Sequence, residues 1–286
     1  MKKKLFLLFF MLVAVRVIYA QTDSTTAKKK NHIQTGILYT SNQTYAGRTD
    51  SFRLPVIIPS VNFKTHVGFY IKASGYLNLS RNNKGFDGIS IEPGYEFSKS
   101  HWDGSISLIK NFISDSSNLI TAPVKTSVEF YLGNENKIIT PFIGSEYLFN
   151  KEGNDFIAYG GLSKSLTLTK EDKEPSVTLE PSFSLSAGSQ NFYYSFLKTF
   201  AANSHSSGRG RSGNNSSVTQ TVGEQSKQFT LLSAAFEMPI TFTKSKFEWK
   251  TTPAWESPLN LVDNGGAGAQ KAKSYLYIST GMLFTF

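Results

Sequence analysis

Apolar and polar residues alternate with a period of two through most of this chain. In the stretch "VGFYIKASGYLNLS", Val67, Phe69, Ile71, Ala73, Leu77 and Leu79 fall on one side, with Tyr70, Lys72, Ser74, Tyr76 and Asn78 on the other. That is the signature of a strand with one apolar face. A tight turn at 65–67 joins it to the alternating run "PSVNFK", which predicts a hairpin. The pattern recurs in "NHIQTGILYTS", "GISIEPGYEFS", "HWDGSISLIKNF", "ITAPVKTSVEFYL", "IITPFIGSEYLF", "FIAYGGLSKSLTL", "SVTLEPSFSLSAG", "FTLLSAAFEMPITF" and "KFEWKTTPAWESPL". The last run, "SYLYISTGMLFTF", sets Leu276, Ile278, Met282, Phe284 and Phe286 against Tyr275, Tyr277, Ser279, Gly281 and Thr285. About twelve strands result, and an even number suits an antiparallel up-and-down barrel. The expected fold class is therefore all-β.

The apolar faces decide what such a barrel stands in. After Ala20 no apolar run is long enough for a membrane helix. A chain that crosses a bilayer without such a helix must close its strands on themselves, because open sheet edges cannot face lipid. Connections near His66, Lys99, Asn134, Lys173 and Ser245 are short, whereas those at 44–51, 190–226 and 260–271 are longer. Short turns at one end and long loops at the other is the habit of transmembrane barrels, the short ones periplasmic. Phe63, Phe69, Phe97, Trp102, Phe130, Phe242, Phe247, Trp249, Phe284 and Phe286 cluster near the short-turn end on the apolar phase, as an interfacial girdle would. A soluble β-sandwich also alternates, but about twelve long strands, with one face apolar throughout and a charge-rich opposite face, fit it less well.

Composition and charge divide the chain. Residues 1–20 have a basic start (Lys2, Lys3, Lys4), an apolar run from Leu5 to Val15 and a small residue, Ala20, before Gln21. This predicts a signal peptide cleaved after Ala20. Residues 21–30 are then a flexible periplasmic lead, and 31–286 the transmembrane barrel. Within it, 199–226 is expected as a mobile extracellular loop, since 203–217 is mainly serine, glycine and asparagine. Cleavage removes four cations from a formal net charge of +9. No concentrated basic stripe is left to bind nucleic acid. The chain has no cysteine, which excludes disulfides, thiolate metal sites and a lipidated cysteine anchor.

The final strand carries a resemblance. "STGMLFTF", with Ser279, Gly281, Phe284 and Phe286, resembles the assembly signal of outer-membrane β-barrel proteins of Gram-negative bacteria. The resemblance implies an outer-membrane location, surrounding membrane lipid and the barrel-assembly machinery as partners, and it implies no activity.

The polar phase is where chemistry would lie. It carries Glu92, Glu96, Asp103, Glu129, Glu146, Glu180, Glu237, Glu248 and Glu256 against Lys64, Lys72, Lys125 and Lys250. This acidic surplus inside the wall would attract cations, which points to a channel for small solutes or cations. The alternative is a closed structural or surface-interaction barrel in which the acids pair with lysines, tyrosines and water. Twelve strands lie between the filled barrels of eight and the open porins of sixteen. A lipid-modifying enzyme is a third reading, but its sequence support is slight. His205 and Ser207 form a His-x-Ser spacing in low-complexity sequence, and the serine is followed by Gly208 where the lipid hydrolases carry asparagine. No catalytic residue is assigned and no cofactor is expected. His66 and His101 belong to turns about two strands apart, roughly 10 Å, too far to share a metal. Pro59, Pro93, Pro123, Pro141, Pro181, Pro239 and Pro253 lack the amide a ladder needs, so each should mark a bulge or break that shapes the wall.

Overall fold

The computed structural model describes residues 31–49, 53–80, 85–115, 117–136, 138–150, 153–169, 174–205, 223–262 and 273–286, without the side chains of 199–205. The signal-peptide and lead assignments, Ser207 and most of the long serine-rich loop lie outside them.

In chain order the strands are β1 (His32–Thr40), β2 (Thr44–Tyr45), β3 (Arg48–Thr49), β4 (Val56–Lys64), β5 (Phe69–Asn78), β6 (Gly85–Lys99), β7 (Trp102–Ile113), β8 (Val124–Asn134) and β9 (Thr140–Asn150). They continue as β10 (Asp155–Ser163), β11 (Leu166–Thr167), β12 (Ser176–Leu179), β13 (Ser182–Gly188), β14 (Thr230–Glu237), β15 (Ile240–Lys244), β16 (Phe247–Pro258) and β17 (Tyr275–Thr285). A helix, α1 (Asn191–His205), follows β13. Three pairs of segments, β10 with β11, β12 with β13 and β14 with β15, continue one another along a single stave. The sheet is therefore a barrel of 12 staves, each antiparallel to its neighbours. It closes where β1 pairs with β17, from Gln34 opposite Thr285 to Thr40 opposite Ser279.

The wall is apolar outside and polar inside. Ile71, Ile106, Ile143 and Met282 each leave half or more of their surface uncovered, at 50%, 52%, 58% and 54%. Their neighbours in sequence, such as Lys72, Ser105, Ser107 and Gly281, take the inner phase. Exposing such a band to water would forfeit about 25 cal/mol for every Å² of it, so hydrocarbon is the medium this surface fits. Phe86, Phe112, Phe149, Phe156 and Phe229, all exposed near the long-loop end, form a second aromatic belt beside the one expected at the short-turn end.

Proline shapes the wall along a seam. Pro141, Pro181, Pro239 and Pro253 fall at nearly one height on neighbouring staves, where Leu162 faces Pro141, Ser163 faces Ser182, and Glu237 faces both Ser182 and Ala254. The ladder breaks there because proline has no amide to give, yet its carbonyl still accepts. Lys164 N donates to Pro181 O at 3.0 Å, Glu180 N to Pro239 O at 2.9 Å and Met238 N to Pro253 O at 3.0 Å. Pro59 and Pro93 stay within their strands with the ladder interrupted on one side, and Pro123 lies in the turn before β8.

Candidate functional site

Strand parity points most of the expected charges inward, and on β4, β5 and β6 they stand in pairs. Lys64 bonds Glu96, and Lys72 Nζ stands 3.3 Å from Glu92 Oε2. The Tyr70 hydroxyl donates to Glu92 Oε1 at 2.8 Å. These groups stay partly open, with 42% of the Lys72 side chain and 43% of the Glu96 side chain accessible. Tyr70 can lie against the wall because Gly94 stands beneath it, where a Cβ would come within 2.4 Å of the ring. Tyr159 lies over Gly144 in the same way.

Elsewhere acids outnumber their partners. Glu129 and Glu146 are direct cross-strand partners on β8 and β9, so two carboxyl groups face each other across the ladder. Asp103 sits over Gly133, and its buried Oδ1 has no hydrogen-bond partner. The Tyr277 hydroxyl reaches Glu237 at 3.5 Å, and that of Tyr275 reaches Glu256 at 2.9 Å. Glu180 occupies the break between β12 and β13, while Glu248 and Lys250 lie near the short-turn end of β16. Lys125 departs from the expected lumenal series. A bulge between Val124 and Thr126 interrupts the parity that places it there, and its Nζ bonds Ile113 O at 3.1 Å and Asp115 Oδ1 at 2.8 Å on the long-loop rim.

The other half of the lumen is filled by connections that alternation could not reveal. The hairpin β2–β3 folds inward from the 41–55 loop and crosses to the far wall, where the Tyr45 hydroxyl donates to Glu146. Gly47, at φ +76°, lies so close to β14 that a Cβ would meet the Ser233 Cβ at 2.5 Å. Arg48 is fully buried. Its guanidinium donates to Gln190 Oε1 at 2.7 and 3.1 Å, to Leu232 O at 2.6 Å, to Leu259 O at 3.1 Å and, at longer range, to the carbonyls of Ala46 and Asn260. It thus ties the hairpin to the start of α1, to β14 and to the 259–274 connection. Burial lowers the guanidinium to about 10, still above neutrality, so the plug keeps a permanent positive charge.

Helix α1 begins at 191 and runs into the segment expected as loop from 199. Its start is fixed by Asp155, whose carboxylate accepts from Asn191 N at 2.8 Å and Phe192 N at 2.7 Å, satisfying free amides at the positive end of the helix dipole. Phe192, Tyr193, Phe196 and Leu197 then pack with Ile120, Val124, Leu148, Ile157 and Leu232 into a dry cluster joined by Tyr45, Ala46 and Leu261. The 114–123 connection adds a second cluster of Leu54, Val56, Ile113, Leu119 and Ala122, and Gln43 Oε1 accepts from Ile120 N at 3.0 Å. Sequence reasoning placed Ile120 in a strand and gave Tyr45, Arg48 and Gln190 no role. The one signal for them was an arginine amid small polar residues in a long connection.

No family model and no curated protein matches the chain. Among solved structures it is similar to the KdgM porin (TM-score 0.47, 7% identity, covering 88% of this chain and 99% of that one). It is similar also to the NanC porin (0.46, 10%, 88% and 98%) and to LpxR from Salmonella typhimurium (0.45, 6%, 88% and 100%). Likenesses this distant carry no argument about activity. Strand pairing and the outward apolar band carry the conclusion instead: the chain is a closed, antiparallel β-barrel of twelve staves with an apolar outer surface.

Proposed function

We propose that this barrel resides in the outer membrane, short turns toward the periplasm, as a cation-attracting passage that rests closed at its outer mouth. The observation that carries the reading is the hairpin of Thr44–Tyr45 and Arg48–Thr49, a wedge separate from the wall that lies across the lumen. Only two residue pairs form the hairpin ladder, and side chains supply most of its bonds to the wall. Withdrawing it therefore disturbs little of the barrel. Below it, Glu129, Glu146, Asp103 and Glu180 lack lysine partners among the described ion pairs, which favours cations over anions in the space uncovered. A structural barrel without transport is the second reading, favoured by the dryness of the cluster around Phe192 and Leu148.

Planar-bilayer conductance tests both. Intact protein is expected to show no steady current, and a variant with residues 44–49 replaced by a short glycine linker should conduct with cation preference. Silence from both, with folding verified by the heat-dependent gel shift of barrels, would leave the structural reading. Steady current from the intact protein would show that the wedge is no seal.

A further inference from the structure

One charged side chain stands where the barrel meets oil. On β7 the outward phase runs Trp102, Ile106, Leu108, Lys110 and Phe112, so Lys110 lies between Leu108 and Phe112, both exposed at 45% and 54%. Its cross-strand neighbours are Ile91 on β6 and Thr126 on β8. Lys99 and Lys244, the other described lysines on the outward phase of a strand, each adjoin a short turn. Lys110 instead lies near the long-loop end, three residues before β7 finishes at Ile113.

A lysine facing lipid costs about 2–4 kcal/mol at the bilayer midplane and close to nothing near the interface. At about 3.3 Å per residue and a strand tilt near 40°, Lys110 starts roughly 7–8 Å below the strand end. That level is the outer aromatic belt, with Phe112 two residues on and Phe149 facing Thr126, and such belts sit where acyl chains give way to headgroups. Among the described ion pairs none involves Lys110, and its partner is a neutral hydroxyl: Nζ donates to Thr126 Oγ1 at 3.0 Å. That bond uses one of three ammonium protons. Thr126, having accepted it, still has its own hydroxyl proton to give. Two remaining N–H groups and one O–H therefore leave from a single point at headgroup depth, a donor set suited to phosphate oxygens.

We infer that Lys110 and Thr126 bind a phosphate of the lipid around the long-loop end, specifically a phosphorylated glucosamine lipid of the outer leaflet. The inference rests on the proposed orientation in the outer membrane and not on the wedge. Silence of the 44–49 variant would leave it untouched.

The test uses the full folded chain in detergent, with retained lipid counted by native mass spectrometry after incubation with diphosphoryl lipid A, phosphatidylglycerol or phosphatidylcholine. Lipid A should be retained in preference to both phospholipids. Lys110→Ala should weaken its binding about tenfold, the scale of one charge-assisted hydrogen bond, and Lys110→Arg should keep most of it. Thr126→Val, which keeps the lysine and suits a strand, should weaken binding about threefold, on the scale of a neutral hydrogen bond, and supplies the test if the alanine variant does not fold. Equal retention by wild type and both loss variants would overturn the site and leave Lys110 as a lysine that only reaches for water. Equal binding of phosphatidylglycerol would overturn the choice of lipid, and displacement by millimolar inorganic phosphate would overturn the claim that a lipid is read at all.

Discussion

The two halves of the lumen share one wall and are filled in opposite ways. Toward the short turns the wall supplies its own contents, with Lys64 against Glu96, Lys72 and Tyr70 against Glu92, and Glu129 against Glu146, all from strand positions of one parity. Toward the long loops the contents come from the connections: a hairpin, a helix and a turn whose apolar side chains make a water-excluding cluster inside a polar tube. A closed barrel fixes what faces inward at every second residue but not what its loops bring to the mouth. What fills the mouth is thus decided by segments outside the periodic pattern.

The largest expected effect lies in the mouth. Arg48→Ala removes a buried cation that five oxygens surround, and leaves Gln190 Oε1 and the Leu232 carbonyl without their donor. The loss should reach about 2–3 kcal/mol, the cost of buried polar atoms left unpaired. Because the hairpin rather than the wall bears that loss, the variant should keep its strand content by circular dichroism while its 41–55 loop becomes cleavable by added protease. Arg48→Lys should rescue little, since a point ammonium cannot reach acceptors spread across three elements. An unchanged protease pattern in both would place the seal elsewhere.

Glycine substitutions sharpen the comparison by moving the same chemical change between the halves. Gly47→Val meets a backbone at φ +76° and the Ser233 Cβ at 2.5 Å, so the hairpin must leave its seat, at about 1–3 kcal/mol. Gly94→Val meets the far end of the Tyr70 ring, which can swing aside, so its cost should be nearer 1 kcal/mol and appear as loss of the Tyr70 to Glu92 bond. Urea unfolding from vesicles, with tryptophan emission as probe, ranks the two. A larger loss for Gly94→Val would mean that the vestibule is the rigid half. Asp155→Asn should fall close behind, at about 1–2 kcal/mol, because it removes the charge and turns one of the two accepting oxygens at the start of α1 into a donor. Its readout is the same protease susceptibility, confined to the segment after β13.

Period two made the wall legible because every strand faces lipid on one side and the lumen on the other, so Ile71 against Lys72 or Met282 against Gly281 declares the orientation locally. Parity failed where the backbone gained a residue. Lys125 was expected in the lumen, but the bulge at Val124 and Thr126 sends it to the Asp115 rim contact. The plug was not legible for a different reason. Arg48 is held by carbonyls of Leu232 and Leu259 and by Gln190, partners about 140 to 210 residues away that no local pattern announces. Helix α1 was hidden too: "NFYYSFLK" is rich in aromatics, which suit strands equally well, and what starts the helix is the carboxylate of Asp155 from another element.

The smallest effect lies at the floor of the hairpin, where Tyr45 meets Glu146. Glu129→Gln and Glu146→Gln together remove the one pair of acids that face each other across neighbouring strands, and a glutamine pair keeps both volume and hydrogen-bonding capacity. In the intact protein nothing measurable should change in conductance, because the wedge lies across the lumen above them. In the 44–49 variant the same change should lower cation preference, read as a shift of the zero-current potential toward zero across a salt gradient, by a few millivolts at high salt and more at low salt, where screening is weaker. The salt dependence is the informative part. A shift independent of ionic strength would mean that the glutamates set pore width rather than charge, and the acid-lined half would then be filler like the other.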